Sequence, residues 1–417
     1  MHSLWRAVAA AVRAHRLVAI LGLVLLVLLF ATSLGAGFVA CERHEEEHAF
    51  QLRAPVPATG APFASALYQS LGVRMASGHE VTLLNNGAVF DALETEIRGA
   101  RSSVHVVLYI WEKGAASDRI VNALVDRAKA GVACRILVDD FGSSAFGKDV
   151  QPTLVAAGCD VRIFRPLPGV GDKLARNHRK VVVVDGRAAF TGGFGIRDNW
   201  LGDGVTNDGW RDANVRFTGP AVADAQQAIA ENWQEAGGPL FPPEAFPAPE
   251  LVDAGAGSAT AAFVASTISP VLTRSERLVQ LVIQAAKKRL WIANAYFVPS
   301  KAILEMLERK GSEGVDVRLL MPGKKKSDSK TSASAQHVEY GSLVERGVRV
   351  LEYEPSMMHA KTMVVDDELS VVASINLDPL SLGKLEEVAL VVQDRAFTAK
   401  LAQSFEQDAA RCRPVER

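Results

Sequence analysis

The chain has 417 residues, 48% hydrophobic and 22% charged, a globular composition with room for two domains of ordinary size. Lys+Arg is 46 against Asp+Glu 47, so the broad basic surface of a nucleic-acid coat is not available. The four cysteines (Cys41, Cys134, Cys159, Cys412) are too few for a disulfide scaffold, and none lies in a CxxC pair, so neither a zinc ribbon nor a dithiol redox site is indicated.

Residues 17–40 carry no charge. As a helix they would span about 36 Å, enough to cross a bilayer with some tilt. Arg6, Arg13 and Arg16 precede the run, and Glu42, Glu45, Glu46 and Glu47 follow it. This bias predicts a single-pass anchor over residues 1–47, the N-terminus in the cytoplasm and the remainder extracytoplasmic at the cell membrane. The rivals are a cleaved signal peptide, whose apolar core is usually shorter, and a lipidated leader ending at Cys41. Residues 48–80, punctuated by Pro55, Pro57, Gly60 and Pro62, read as a linker.

Beyond it the pattern is α/β, with short β-branched runs alternating with amphipathic stretches. Helices are expected at 93–98, 118–129 and 150–157, and strands at 104–109, 134–138, 161–164 and 180–184. The order then repeats, with helices at 277–287 and 303–308 and strands at 290–295, 315–320 and 361–365. Residues 343–350 (LVERGVRV) mirror residues 154–161 (LVAAGCDV). Self-similarity on this scale indicates a duplicated domain. The expected boundaries are 81–236 for the first copy, 237–260 for a Pro/Gly/Ala-rich connection and 261–417 for the second. Cys134 and Cys159 open consecutive strands of the first copy, as two buried small side chains or, outside the cytoplasm, as a disulfide. Lys324, Lys325, Lys326 and Lys330 fall in a Ser-rich loop, a solvated charge run or a patch for anionic lipid headgroups. Trp111 and Tyr296-Phe297 end the first strands of the two copies, as core packing or as lining of a site.

The chemistry-bearing feature is a pair. Asn177-His178-Arg179-Lys180 runs on to Asp185, and Met358-His359-Ala360-Lys361 runs on to Asp366, both in the form H-x-K-x4-D and both at the same place in the repeat. In a strand the His and Lys, two apart, share a face, whereas the Asp, an odd step further where the strand turns, does not. His178, Lys180, His359 and Lys361 are therefore the candidate catalytic groups, with Asp185 and Asp366 completing the set as positioning groups. Two histidines and two lysines face to face suit a phosphodiester. One His attacks phosphorus, the other protonates the leaving oxygen, and the lysines neutralise the charge. No metal-ligand motif and no cofactor motif is present in the sequence.

The pair resembles the phospholipase D superfamily. Members often follow the motif with six residues and then G-S-x-N or G-G-x-N. Here Ala373-Ser374-Ile375-Asn376 and Gly192-Gly193-Phe194-Gly195 stand in those places, so Asn376 matches and Gly195 departs. The stretches Trp210-Arg211-Asp212 and Asn376-Leu377-Asp378-Pro379-Leu380-Ser381, followed by Glu387, are similar to those of bacterial cardiolipin synthases. The resemblance implies two phospholipase D-like domains, each a mixed sheet between helices, related by a pseudo-twofold, with the site between them. It implies that Asp212 and Glu387 orient the histidines, and that Gly192, Gly193, Ser374 and Asn376 bind or support the substrate phosphate. His178 is then the nucleophile and His359 the acid. The implied activity is metal-independent phosphatidyl transfer through a phosphohistidine, joining two phosphatidylglycerols into cardiolipin with release of glycerol. The partners are a phospholipid substrate and the bilayer, with no nucleic acid. The alternatives are a phospholipase D-type hydrolase yielding phosphatidic acid, an extracytoplasmic nuclease, and a non-catalytic lipid-binding scaffold.

Overall fold

The computed structural model describes residues 49–416 apart from residues 51, 53–54, 167–174, 207–208, 244–256 and 270. The strands, in chain order, are β1 (Ala76–His79), β2 (Val81–Asn85), β3 (Ser103–Leu108), β4 (Ala133–Asp139), β5 (Asp160–Phe164), β6 (Arg176–Asn177), β7 (Val181–Val184), β8 (Ala188–Gly192) and β9 (Ala213–Thr218). The second half carries β10 (Ala259–Ser266), β11 (Arg289–Ala293), β12 (Asp316–Pro322), β13 (Arg349–Tyr353), β14 (Thr362–Val365), β15 (Leu369–Ala373), β16 (Leu385–Gln393) and β17 (Cys412–Pro414). One sheet has the order β2-β9-β8-β7-β3-β4-β5, and the other contains β10-β16-β15-β14-β11-β12-β13. The two orders are the same plan executed twice, as a duplicated α/β domain requires. In both, the three strands that end the order are parallel and joined through helices, and the rest are antiparallel.

Apolar spacing and caps account for the helices. Residues Ala88–Gly99 bury Val89, Phe90, Leu93 and Ile97 on one stripe. Thr273 caps Arg274–Ala285, its hydroxyl accepting the Glu276 N–H at 3.1 Å. Asp394 caps Arg395–Ala409 through the Phe397 N–H at 2.7 Å. β7 is four valines, all buried, as a strand covered on both faces demands.

The two sheets face one another across a shared core. Val107, Val181, Val215 and Phe217 of the first meet Phe263, Val364, Val372 and Leu390 of the second, together with Trp233 and Phe405 from the helices Ala221–Glu235 and Arg395–Ala409. Phe217 and Phe263 stack with centroids 6.0 Å apart. Residues 49–417 consequently form one compact unit. The stretch expected to be a linker is also largely structured. Gly60–Leu71 is a helix burying Phe63, Leu67 and Leu71 in the core of the second half, and β1 pairs with the edge of β10. Pro62 lies in the first turn of that helix, where its missing N–H has no intrahelical partner to lose.

Lys330 begins a helix, Lys330–Glu345, whereas Lys324, Lys325 and Lys326 stay in the preceding turn. Cys134 and Cys159 are buried free thiols, with no disulfide between them. Among the described residues no helix is long and apolar enough to cross a membrane, and the uncharged run at 17–40 lies outside them.

Phe63 is fully buried against the second half. Phe63→Ala is expected to destabilise the protein by about 3–5 kcal/mol, read as a lower urea midpoint. A change within about 0.5 kcal/mol, the scale of a surface site, would show that this helix is not part of the folded core.

Candidate active site

Each histidine is fixed by backbone pairing with the opposite half. β6 pairs in parallel with the start of β16, and the His178 N–H donates to the Glu386 carbonyl at 2.9 Å. This brings the next residue, Glu387, onto the imidazole, with Nδ1 to Oε1 at 2.8 Å. On the other side a bridge joins Arg211 to Met358, and the His359 N–H donates to the Arg211 carbonyl at 2.7 Å. The next residue, Asp212, meets His359 with Nδ1 to Oδ2 at 2.9 Å. The two pairs cross: His178 of the first half is held by Glu387 of the second, and His359 of the second by Asp212 of the first. Both carboxylates are fully buried. An ionised carboxylate accepts from Nδ1–H, so in each neutral ring Nε2 is the basic nitrogen.

The lysines share the face of their histidines, as the two-residue spacing requires. Lys180 Nζ donates to the His178 carbonyl at 2.8 Å. Lys361 Nζ donates to the His359 carbonyl and lies 3.0 Å from His359 Nε2. Burial and neighbouring charge set the protonation states. His178 is lowered to about 4 by burial and the adjacent lysines, against the pull of Glu387. His359 is lowered to about 3 by burial and Lys361, against Asp212. Burial brings Lys180 down to about 7 and Lys361 to about 8, the carboxylates resisting. Burial would raise Asp212, but His359, Lys361 and the Trp200 N–H more than offset it and keep it ionised. The site thus holds two neutral imidazoles beside two lysines whose charge burial disfavours and the two carboxylates support.

The carboxylates have further donors, and here the halves differ. Glu387 accepts from the hydroxyls of Ser374 and Ser381, the latter at 2.5 Å. Ser374 therefore supports the carboxylate. Asp212 accepts the Trp200 indole N–H at 2.7 Å and the Ala213 N–H at 2.8 Å. Trp200 and Ser381 stand the same number of residues after His178 and His359. One position thus supplies a donor to each carboxylate, an indole in one half and a hydroxyl in the other.

Gly193 is the counterpart of Ser374, and a Cβ there would lie 2.3 Å from Asp212 Oδ1. Gly195 is the counterpart of Asn376, and a Cβ there would lie 3.0 Å from Ile110 Cβ and 3.2 Å from the Trp200 ring. Asp212 thus fills the space beside Gly193, and Ile110 with the Trp200 ring fills the space beside Gly195. Gly192, at φ +143°, permits the close approach of Asn214, whose Oδ1 accepts the Phe194 N–H at 3.0 Å. Asn376 is buried, and among the described residues its Oδ1 has no hydrogen-bond partner.

Aromatic walls add to the asymmetry. Trp210 stacks on His359 at 4.9 Å, and Trp200 meets the same ring edge-on at 5.2 Å. His178 has Tyr109 edge-on at 4.9 Å. Tyr109, Trp200, Trp210 and Ser381 were not among the residues expected to carry function. For Trp200 the only signal in the sequence is the glycine at 195.

Asp185 and Asp366 are not part of this cluster. At φ +53° and +49° they turn the far ends of β7 and β14. Asp185 accepts the N–H groups of Arg101, Ser102 and Ser103, and Asp366 those of Lys287, Lys288 and Arg289. They anchor the chain entering the first strand of each half.

Comparison with known proteins points the same way as the geometry. The family described as "Cardiolipin synthase, PLD-like domain" matches residues 93–233 and again 279–409. The chain is 34% identical over 341 residues to cardiolipin synthase A of Pseudomonas fluorescens strain SBW25, covering 80% of this chain and 69% of that one. It is 33% identical over 334 residues to cardiolipin synthase 2 of Bacillus cereus, covering 78% and 64% respectively. Among solved structures, the phosphatidylserine synthase of Haemophilus influenzae superposes with a TM-score of 0.66 at 14% identity, over 85% of this chain and 92% of the other, a likeness of fold.

Trp200→Phe keeps a ring in place but removes the N–H from Asp212. A hydrogen bond to a buried charge is worth about 1.5–3 kcal/mol, so turnover is expected to fall roughly tenfold or more with little change in KM. Losing a donor raises the carboxylate's pKa, so activity should also be lost at a higher pH on the acid side than in the wild type. An unchanged pH–rate profile would show that Trp200 does not act through Asp212.

Proposed function

The chain belongs to the cardiolipin synthase family with phospholipase D-like domains, enzymes of the phosphatidyltransferase type, and we propose that it makes cardiolipin from two molecules of phosphatidylglycerol through a phosphohistidine. The crossed carboxylate–histidine pairs are the observation that carries this reading, because they present two imidazoles in one cleft, each with its basic Nε2 directed by a carboxylate on the other nitrogen.

His178 Nε2 attacks the phosphorus of the first phosphatidylglycerol. The bond from phosphorus to the glycerol headgroup oxygen breaks, and that oxygen takes a proton from His359 Nε2. The glycerol leaves and a phosphatidyl group remains on His178. A hydroxyl of the second phosphatidylglycerol then gives its proton to His359 and attacks phosphorus. The P–N bond breaks, cardiolipin departs and both histidines return to their starting state. Lys180 and Lys361 stabilise the charge on the non-bridging oxygens, with the amide of Asn376 on the second-half side. The phosphodiester anion also opposes the lysinium charges that depress the histidines, so its arrival raises the pKa of His359 and lets it carry the proton it must give. Lys180 lies beside Tyr109 and Lys361 beside Tyr296, their ammonium groups 5.4 and 6.0 Å from the ring centroids. The outward topology, with residues 17–40 as a membrane anchor, belongs to the same reading and is supported by the charge bias that flanks the run.

The direct test incubates the full chain with phosphatidylglycerol vesicles and identifies lipid products by mass spectrometry, with His178→Ala and His359→Ala alongside. Cardiolipin is expected from the wild type, and each variant should lose roughly a thousandfold or more. Phosphatidic acid as the main product would replace transfer by hydrolysis, and no product would reject phosphatidylglycerol as substrate.

The pH dependence of kcat/KM is expected to be bell-shaped. The acid limb falls as His178 takes a proton, near pH 4; on the alkaline side the loss of the His359 proton lowers kcat/KM first, and the fall steepens near pH 7–8 as Lys180 and Lys361 lose theirs. Activity that stays flat through pH 9 would show that charged lysines are not required.

A further inference from the structure

The ends of the strands that carry the site also carry half of the strongly exposed large apolar side chains among the described residues. Among the described residues eight large apolar side chains are strongly exposed, and four of them leave the catalytic end of the sheets, Phe141, Ile268 and Val271 on loops and Leu380 in the short helix Pro379–Gly383. Phe141 is 62% exposed and its N–H donates to Asp139, whose carboxylate also holds Arg176 and the Asn177 N–H next to His178. Ile268 follows by two residues Ser266, the β10 residue in register with Glu387. Val271 is 59% exposed and sits just before the cap of the helix that starts at Arg274. Leu380 is 49% exposed and adjoins Ser381, which hydrogen-bonds Glu387.

The basic turn belongs to the same rim. β4 and β12 occupy equivalent places in the two sheets, and the strand registers make Lys324 the counterpart of Phe141. Lys324 and Lys325 are exposed. The turn is tied to the site from below, because Tyr296 beside His359 donates its hydroxyl to Asp328 at 2.8 Å. Three carboxylates nearby are engaged: Asp328 by Tyr296, Asp378 by the N–H groups of Leu380 and Ser381, and Glu354, beside Gly323, by Arg413 at 3.6 Å.

We propose that this rim is an interfacial docking surface for an anionic phospholipid bilayer, with Phe141, Ile268, Val271 and Leu380 entering the headgroup boundary and Lys324–Lys326 held by anionic headgroups. The inference rests on the phospholipid-substrate reading above and adds how the substrate reaches the histidines. A lipid need not leave the membrane entirely, since the mouth of the cleft is itself seated on it. Exposed apolar side chains beside a basic cluster are the chemistry of a membrane surface, each lysine near anionic lipid contributing roughly a fivefold gain in partitioning.

The test uses the full chain in lipid nanodiscs with an environment-sensitive fluorophore on single cysteines, in a background of Cys41→Ser and Cys412→Ser. Phe141→Cys and Leu380→Cys probe the rim. Val155→Cys and Val338→Cys, exposed apolar positions at 50% and 76%, serve as controls. In discs containing phosphatidylglycerol the rim labels are expected to shift to the blue and to be quenched by lipids carrying a quencher on the acyl chain, while the controls are not. Quenching at position 141 should fall severalfold in phosphatidylcholine discs and in Lys324→Ala/Lys325→Ala/Lys326→Ala. Rim labels as wet and unquenched as the controls would overturn the proposal, and equal quenching in both lipids would overturn the role of the lysines. The readout needs no turnover, so failure of the transfer assay and failure of docking are separately visible.

Discussion

The site depends on one constraint: neither histidine can be held without the other half of the chain. Glu387 lies 209 residues beyond His178, and Asp212 lies 147 residues before His359, yet each pair is in direct contact inside a buried cleft. Two carboxyl groups with no solvent access would be prohibitive if unpaired, so the halves must meet in one register for either to be tolerated. The shared core between the sheets supplies the rigid background for that register, and the short backbone pairings at 176–177 with 385–386 and at 211 with 358 fix it locally. The pairing of the halves is therefore part of the chemistry as well as of the fold.

Duplication did not leave two identical halves. Glu387 is supported by two hydroxyls, whereas Asp212 is supported by an indole N–H and a backbone N–H. Glycine at 193 leaves room for the Asp212 carboxylate, and glycine at 195 leaves room for Ile110 and the indole of Trp200. The departure of Gly195 from the usual asparagine is thus the sequence trace of a different way of holding the opposite histidine. His359 ends up enclosed by Trp200, Trp210 and Tyr296, while His178 faces Tyr109, so two imidazoles with the same motif sit in unequal surroundings.

The legible part of this arrangement was whatever depends on local spacing. The face shared by His178 and Lys180, and by His359 and Lys361, follows from the pleat, as does the exclusion of Asp185 and Asp366 from that face. The seven strands expected from composition agree with the observed boundaries to within one or two residues, whereas β15 and β16 were not anticipated despite their valines and leucines. Asp212 and Glu387 came from resemblance, since nothing in the spacing ties either to a histidine far along the chain. Trp200 was not legible because its role is a tertiary contact, and an aromatic residue in a loop has no period to betray it. The helix at Gly60–Leu71 was hidden by its own start, where Gly60 and Pro62 look like loop punctuation although a proline in the first turn is compatible with a helix. β10 was missed because its sequence, ATAAFVAS, is too poor in large side chains to stand out.

The pairing of β1 with β10 has a consequence for how the protein comes into being. The segment at residues 60–79 finds its strand partner beyond residue 258, and its helix packs against Arg274–Ala285. On a growing chain that segment emerges early and waits, with Phe63, Leu67 and Leu71 uncovered, until two-thirds of the polypeptide has been synthesised. Closing so long a loop is entropically slow, and the exposed apolar stripe is vulnerable meanwhile. Biogenesis of this chain is therefore expected to rely on a holding chaperone in whichever compartment it folds, and a ribosome stalled after the first repeat would carry an aggregation-prone intermediate instead of a finished domain.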